Sequence, residues 1–330
     1  MLRLSSQQHR NRHPMLWRCF SSRILSQSVL LKSLPVRSCR AFIGSAHIYS
    51  ILPKTQSMST NETFKELDPN QGGDANKKTY HKKATGEALK TAGSHSASKD
   101  LKLYGSCFCP FVQRVWISLE LKGLDYEYVE VDVYRKPKLL LDINPRGLVP
   151  ALRHGEWGCY ESTVLMEYLE DLHEGRALLP KDPKLRASSR LASDQINRHI
   201  IPNFYKYLQA QDPNDQVKFA GELKGQIAKI VEVADEDGPF FLGSEMGFVD
   251  VQLAPWIVRL EKVLKPYRGW PDAEPGSRWD KWVRAVVEAE PVKKTTSTDE
   301  LYLDSYERYA ENRPNTSQVR DAINSGGGLP

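Results

Sequence analysis

Acidic residues are missing from the first 61 positions. That stretch holds seven arginines and two lysines, and the first carboxylate is Glu62. The segment is Ser-rich and its apolar pieces are short (Ile24-Leu25, Val29-Leu30-Leu31). It is too interrupted for a secretory apolar core and has the composition of a mitochondrial transit peptide over residues 1–57. The alternative is a start at Met58, which opens a polar Ser59-Thr60-Asn61-Glu62 segment suited to a cytoplasmic product. No run of 18 apolar residues occurs, so no spanning helix is expected. Cysteine is sparse: Cys19, Cys39, Cys107, Cys109 and Cys159, an odd and scattered set. That argues against a disulfide framework and for a reducing compartment. The formal charge of +5 comes from the leader; beyond it 37 basic residues face 41 acidic ones. The rest of the chain is mildly acidic and carries no basic footprint for nucleic acid. Zinc spacing and a phosphate-binding glycine loop are both lacking.

Residues 58–99, rich in Lys, Gly, Ala and Ser, read as a disordered linker. From Leu101 the pattern changes. Leu101–Tyr104 is a strand and Gly105-Ser106 a turn. Val112, Val115, Trp116 and Leu119 then mark one apolar helical face, closed by Gly123. Tyr126–Val133 gives a second strand, parallel to the first, and 137–143 a short helix. Val149–Arg153 and Cys159-Tyr160 flank a hairpin turn, and Ser162 caps a helix through Leu172. The order βαβαββα over residues 100–180 is a thioredoxin-like layout. Beyond Pro180 strand signals stop. Helical patterns at 184–211, 214–236, 248–265, 277–289 and 298–311 make 184–314 an all-α domain. Residues 315–330, with Gly326-Gly327-Gly328, read as a disordered tail.

Within this frame the informative stretch is Cys107-Phe108-Cys109-Pro110-Phe111. Pro110 suits the first helical position, which puts Cys109 at the N-cap before free N–H groups and the positive end of the helix dipole. A free thiol ionises near ~8.5, and a helix terminus shifts that by at most about 1.5 units. Hydrogen bonds from first-turn N–H groups add to it, so Cys109 is expected to ionise at neutrality or below. Cys107 precedes Cys109 by two residues, on the strand side, where a direct bridge is strained. A dithiol motif would put the resolving thiol at Val112, so the resolving thiol is expected to be external.

Three segments in order carry a family resemblance: Cys109–Arg114, then Asn144-Pro145-Arg146-Gly147-Leu148-Val149-Pro150-Ala151-Leu152, then Tyr160-Glu161-Ser162. Together they resemble a glutathione transferase, and the cysteine makes the chain similar to the omega class, with the lambda class close behind. Gly247–Asp250 and Ala254–Glu261 resemble the omega helical domain. The resemblance implies glutathione as co-substrate and no metal. It makes Cys109 the catalytic residue. Val149 and Pro150 (the family's cis-proline) would pair with the cysteinyl unit, and Glu161 and Ser162 would hold the γ-glutamyl group. Lys136 would reach the glycyl carboxylate, Phe111 would pack beside the peptide, and Trp256 would border the second-substrate pocket. The implied reactions are dehydroascorbate reduction, thiol transfer and deglutathionylation, carried out by a homodimer. Two alternatives stay open: a conjugating transferase using Ser106 or Tyr104, and a non-catalytic interaction module.

Overall fold

The computed structural model describes residues 80–330. The expected leader over 1–57 and most of the expected linker lie outside the described residues. The remainder of that linker is ordered: helix α1 spans Gly86–Ser94. Its order comes from distant partners rather than local composition. Ala84 and Ala88 are buried in the core, the Thr85 hydroxyl meets that of Thr298 at 3.0 Å, and the Tyr128 N–H donates to His95 O at 2.8 Å.

Strand β1 (Leu101–Gly105), helix α2 (Pro110–Lys122), strand β2 (Glu127–Glu130), helix α3 (Lys138–Ile143), strands β3 (Ala151–His154) and β4 (Trp157–Tyr160), and helix α4 (Ser162–Asp171) follow. The order βαβαββα is the expected one. The sheet runs β2-β1-β3-β4, with β1 and β2 parallel and the other two pairings antiparallel. Register places Tyr104 opposite both Val129 and Ala151. Gly123 ends α2 in the left-handed region, where the absence of a Cβ removes the strain. On one face Tyr104, Val131, Leu140 and Ala151 form a small cluster under α3. The other face packs on α2 and opens into the main core.

The remaining described chain is helical. Helix α5 (Pro183–Gln195) continues through a π turn, Ile196–Ile200, into α6 (Ile201–Gln209). Helix α7 covers Pro213–Glu232, and α8 (Phe248–Arg259) continues through a second π turn, Leu260–Leu264, into α9 (Lys265–Arg268). Each π turn lies just before a proline, Pro202 or Pro266. Proline lacks the N–H that a regular i to i−4 ladder needs, and the wider turn absorbs the defect. Helices α10 (Arg278–Glu288), α11 (Glu290–Lys294), α12 (Asp299–Ala310) and α13 (Gln318–Asn324) complete the chain. Helix α13 corrects the expected disordered tail. Ser317 Oγ accepts from the Arg320 N–H, Arg320 Nε donates to Asn312 Oδ1 at 2.9 Å, and Ile323 is buried.

Helix α2 is buried on nearly all sides, since α4 and α8 pack against it and its Trp116 stacks on Tyr128 of β2. Its sequence shows this as a weak amphipathic pattern. Even Gln113 and Arg114 are buried on it. The N-terminus of α2 is therefore fixed by both halves of the fold.

Candidate active site

Cys109 is the N-cap of α2, Pro110 is its first residue, and the carbonyl of Cys109 accepts the Gln113 N–H at 3.1 Å. The half-buried thiol leans on Val149 O at 3.7 Å, beside the cis Val149–Pro150 bond. Position is as expected, but ionisation is not. Burial pushes the Cys109 thiol above its ordinary value, against the N–H groups of Val112 and Phe111 and the Arg259 and Arg114 guanidiniums, which pull it down. The helix terminus is visible in the sequence; the larger cost of desolvation arises only on folding. Cys107 lies deeper: its buried thiol donates to His81 O at 3.6 Å, and burial raises it too.

Cys109 borders a cavity of about 420 Å³. Phe111, Lys136, Val149, Pro150, Glu161 and Ser162 line the same space. Seven of the eight expected site residues, scattered over 54 positions, thus share one cavity.

Each is held by its own local device. Lys136 lies over the loop at Gly147. That residue has φ of 62°, and a Cβ there would come within 2.6 Å of the Lys136 Cδ. Partial burial lowers the Lys136 ammonium below its ordinary value. Glu161 is the N-cap of α4 with φ of 76°, a conformation that costs a non-glycine residue of order 1–3 kcal/mol. Its carboxylate accepts from Arg146 Nη1 at 2.8 Å. Ser162, expected as the cap, is instead the first helical residue. Its buried hydroxyl accepts from Arg114 Nη1 at 3.3 Å.

Trp256 is the exception. It is 1% exposed and is not part of the cavity wall. It sits behind that wall, edge-on to Phe111 with centroids 5.2 Å apart and under the Arg114 guanidinium at 4.4 Å. Helix α8 is buried on every side, so a tryptophan on it had no open face to occupy. The hydroxyl alternatives fare no better. Tyr104 belongs to the cluster under α3, Ser106 is buried, and neither borders the cavity.

Sequence reasoning missed Arg114 and Arg259. Arg259 is buried, with Nη2 donating to Phe108 O at 2.8 Å, Nη1 to Gln113 Oε1 at 2.6 Å and Nε to Tyr306 Oη at 2.7 Å. It ties α8 and α12 to the loop that carries Cys109. Tyr134, Tyr309, Val319 and Leu329 also border the cavity. A lone arginine in an apolar helix is the only trace these contacts leave in the sequence.

A thioredoxin-like sheet joined to a helical domain, with a cysteine at a helix tip beside a cis-proline, defines the class. Family models agree. The N-terminal domain of glutathione S-transferase matches residues 103–177 and the C-terminal domain matches residues 202–285. Glutathione transferase Omega 3C from Trametes versicolor is 40% identical, with a TM-score of 0.65, over 69% of this chain and 98% of that one. Glutathione S-transferase omega-1 of Sus scrofa is 29% identical over 163 residues, 49% of this chain and 67% of the relative. Rice GST1, solved in complex with glutathione, is 28% identical with a TM-score of 0.57, over 62% of this chain and 96% of that one. The chain belongs to the glutathione transferase family, with omega-class members among its relatives in sequence and in structure.

Proposed function

We propose that the protein is a glutathione-dependent thiol oxidoreductase of omega type, working through a mixed disulfide between Cys109 and glutathione. The observation that carries this reading is that Cys109 lines the same cavity as Val149, Pro150, Lys136, Glu161 and Ser162. Val149 offers backbone groups for strand-like pairing with a cysteinyl unit. Ser162 and the start of α4 suit a carboxylate, and Lys136 suits a second one.

In the first step the Cys109 sulfur attacks the glutathionyl sulfur of a disulfide R–S–SG. A Cys109–SG bond forms, the old S–S bond breaks, and the proton of Cys109 leaves with the departing thiol R–SH. In the second step the thiol of free glutathione attacks the adduct, yielding oxidised glutathione and the Cys109 thiol. One free glutathione is consumed for each mixed disulfide reduced, because the substrate supplies the other half of the oxidised glutathione. Dehydroascorbate carries no glutathionyl group, so its two-electron reduction to ascorbate consumes two glutathiones, which leave as oxidised glutathione. Because burial raises the Cys109 thiol, the first step is expected to speed up as pH rises above neutrality.

The same reading includes a homodimer and, for the residues ahead of the fold, mitochondrial import or a cytoplasmic start at Met58. Incubation with oxidised glutathione followed by intact mass tests the central step. A single adduct, lost in Cys109→Ser, supports it; no adduct supports a non-catalytic module.

A further inference from the structure

Arg114 is a cation in an unusual position. It is 1% exposed and borders the cavity from α2. Nε donates to Gln252 O on α8 at 2.9 Å, and Nη1 donates to Ser162 Oγ on α4. Nη2 is buried with no hydrogen-bond partner, and among the described residues no carboxylate pairs with the guanidinium. The rings of Trp256 and Phe111 hold its plane, at 4.4 and 5.7 Å. Desolvation lowers it from its ordinary value to about 9, while Tyr205 and Cys109 oppose that loss. A buried, uncompensated charge is costly to keep and is weakly screened across a protein wall.

We propose that Arg114 is a positioning residue of the reaction centre, orienting the Ser162 hydroxyl toward the γ-glutamyl carboxylate and favouring the Cys109 anion by its charge. This rests on the glutathione reading above. Guanidinium only donates, so Ser162 Oγ uses a lone pair on Arg114 and keeps its own proton for a carboxylate in the cavity. Such a carboxylate supplies the counter-charge that no protein carboxylate gives Arg114 among the described residues. Arg114 and Cys109 also line the same cavity from the first turns of α2, where the guanidinium charge favours the thiolate. Glutathione binding and thiol activation thus pass through one side chain, pinned by α2, α4 and α8 together.

The test follows formation of the Cys109 adduct by intact mass, as a function of disulfide concentration. Two probes are used: oxidised glutathione, and the disulfide of cysteinylglycine, which lacks the γ-glutamyl group. Arg114→Gln is expected to raise the half-saturating concentration of oxidised glutathione about 10- to 100-fold, the loss of a charge-assisted contact. The truncated disulfide is expected to shift by less than about threefold. Iodoacetamide alkylation of Cys109 is expected to move to higher pH in Arg114→Gln, and Arg114→Lys, which keeps the charge, is expected to restore the profile. Equal losses for both disulfides, or an unmoved alkylation profile, overturn the role. Should Arg114→Gln melt before assay, Ser162→Ala reads the same relay. A loss selective for oxidised glutathione supports it, and an equal loss for both probes overturns it. Absence of any wild-type adduct overturns the thiol-transfer reading itself; a normal adduct in Arg114→Gln overturns only the role of Arg114.

Discussion

Two opposing effects meet at the Cys109 sulfur. The helix tip and two guanidiniums favour its anion, and burial opposes it. Arg259 contributes to the first and also fixes the loop through Phe108 O. Arg259→Gln is therefore expected to move the alkylation midpoint of Cys109 further up, with a loss of stability of about 3–5 kcal/mol from the broken buried network. Alkylation rate against pH and a denaturant melt measure the two effects separately; an unchanged midpoint contradicts the electrostatic role. The cysteine was legible because N-cap chemistry is local: Pro110 and the apolar spacing of Val112, Val115 and Trp116 define the helix start. The arginines were not, since Arg114 and Arg259 matter only through partners brought together by folding. Trp256 was misread for the same reason, because its face of α8 was fixed by α2, which no spacing within 248–265 reveals.

At the level of elements, α1 shows what polarity alone hides. Residues 80–95 look solvated, yet their backbone and side chains complete distant groups. Ala84 N–H donates to Glu130 Oε2 at 3.1 Å, while Glu130 Oε1 is buried with no partner. Burial pushes the Glu130 carboxyl up from 4.5 to about 7, against the N–H groups of Ala84 and Cys107. The folded state thus holds this proton more tightly than the unfolded chain does. The stability it contributes is complete below about 4.5 and is lost as pH rises through 7. Glu130→Gln is expected to remove a pH-dependent decline on the order of 2–3 kcal/mol between these limits. Denaturant melts of both proteins at pH 4.5 and 8 read it; parallel declines contradict it. The order of strands and helices along the chain and the long helices were readable from periodicity and from Gly123. Helices α1 and α13 were not, because the Thr85–Thr298 and Arg320–Asn312 contacts that order them are distant in sequence or lie beyond a helix end.

Across the whole molecule, apolar side chains remain uncovered on neighbouring elements. Trp157 of β4 packs on Tyr168 of α4, and Glu167 of α4 accepts from Arg190 of α5. On these three linked elements Trp157, Val164, Leu185 and Leu191 are exposed, Leu191 at 72%. Burying them against a second copy would remove apolar surface from water at about 25 cal/mol per Å². Val164→Glu with Leu191→Glu is expected to convert a dimer to a monomer in sedimentation velocity without lowering the melting temperature of the monomer. A wild-type monomer contradicts the expectation. The division into a thioredoxin-like and a helical part was readable because strand signals end at Pro180. The close fit of the two parts was not, because the packing of α2 on α8 depends on surfaces, not on order along the chain.

The most direct measurement is mass spectrometry of the intact protein after exposure to oxidised glutathione, with peptide mapping of the modified thiol. One glutathionyl group is expected on Cys109, removed by added glutathione and absent from Cys109→Ser. Modification of Cys159 or Cys107 alone, or a Cys109 that stays free at every concentration, refutes nucleophilic chemistry at the tip of α2.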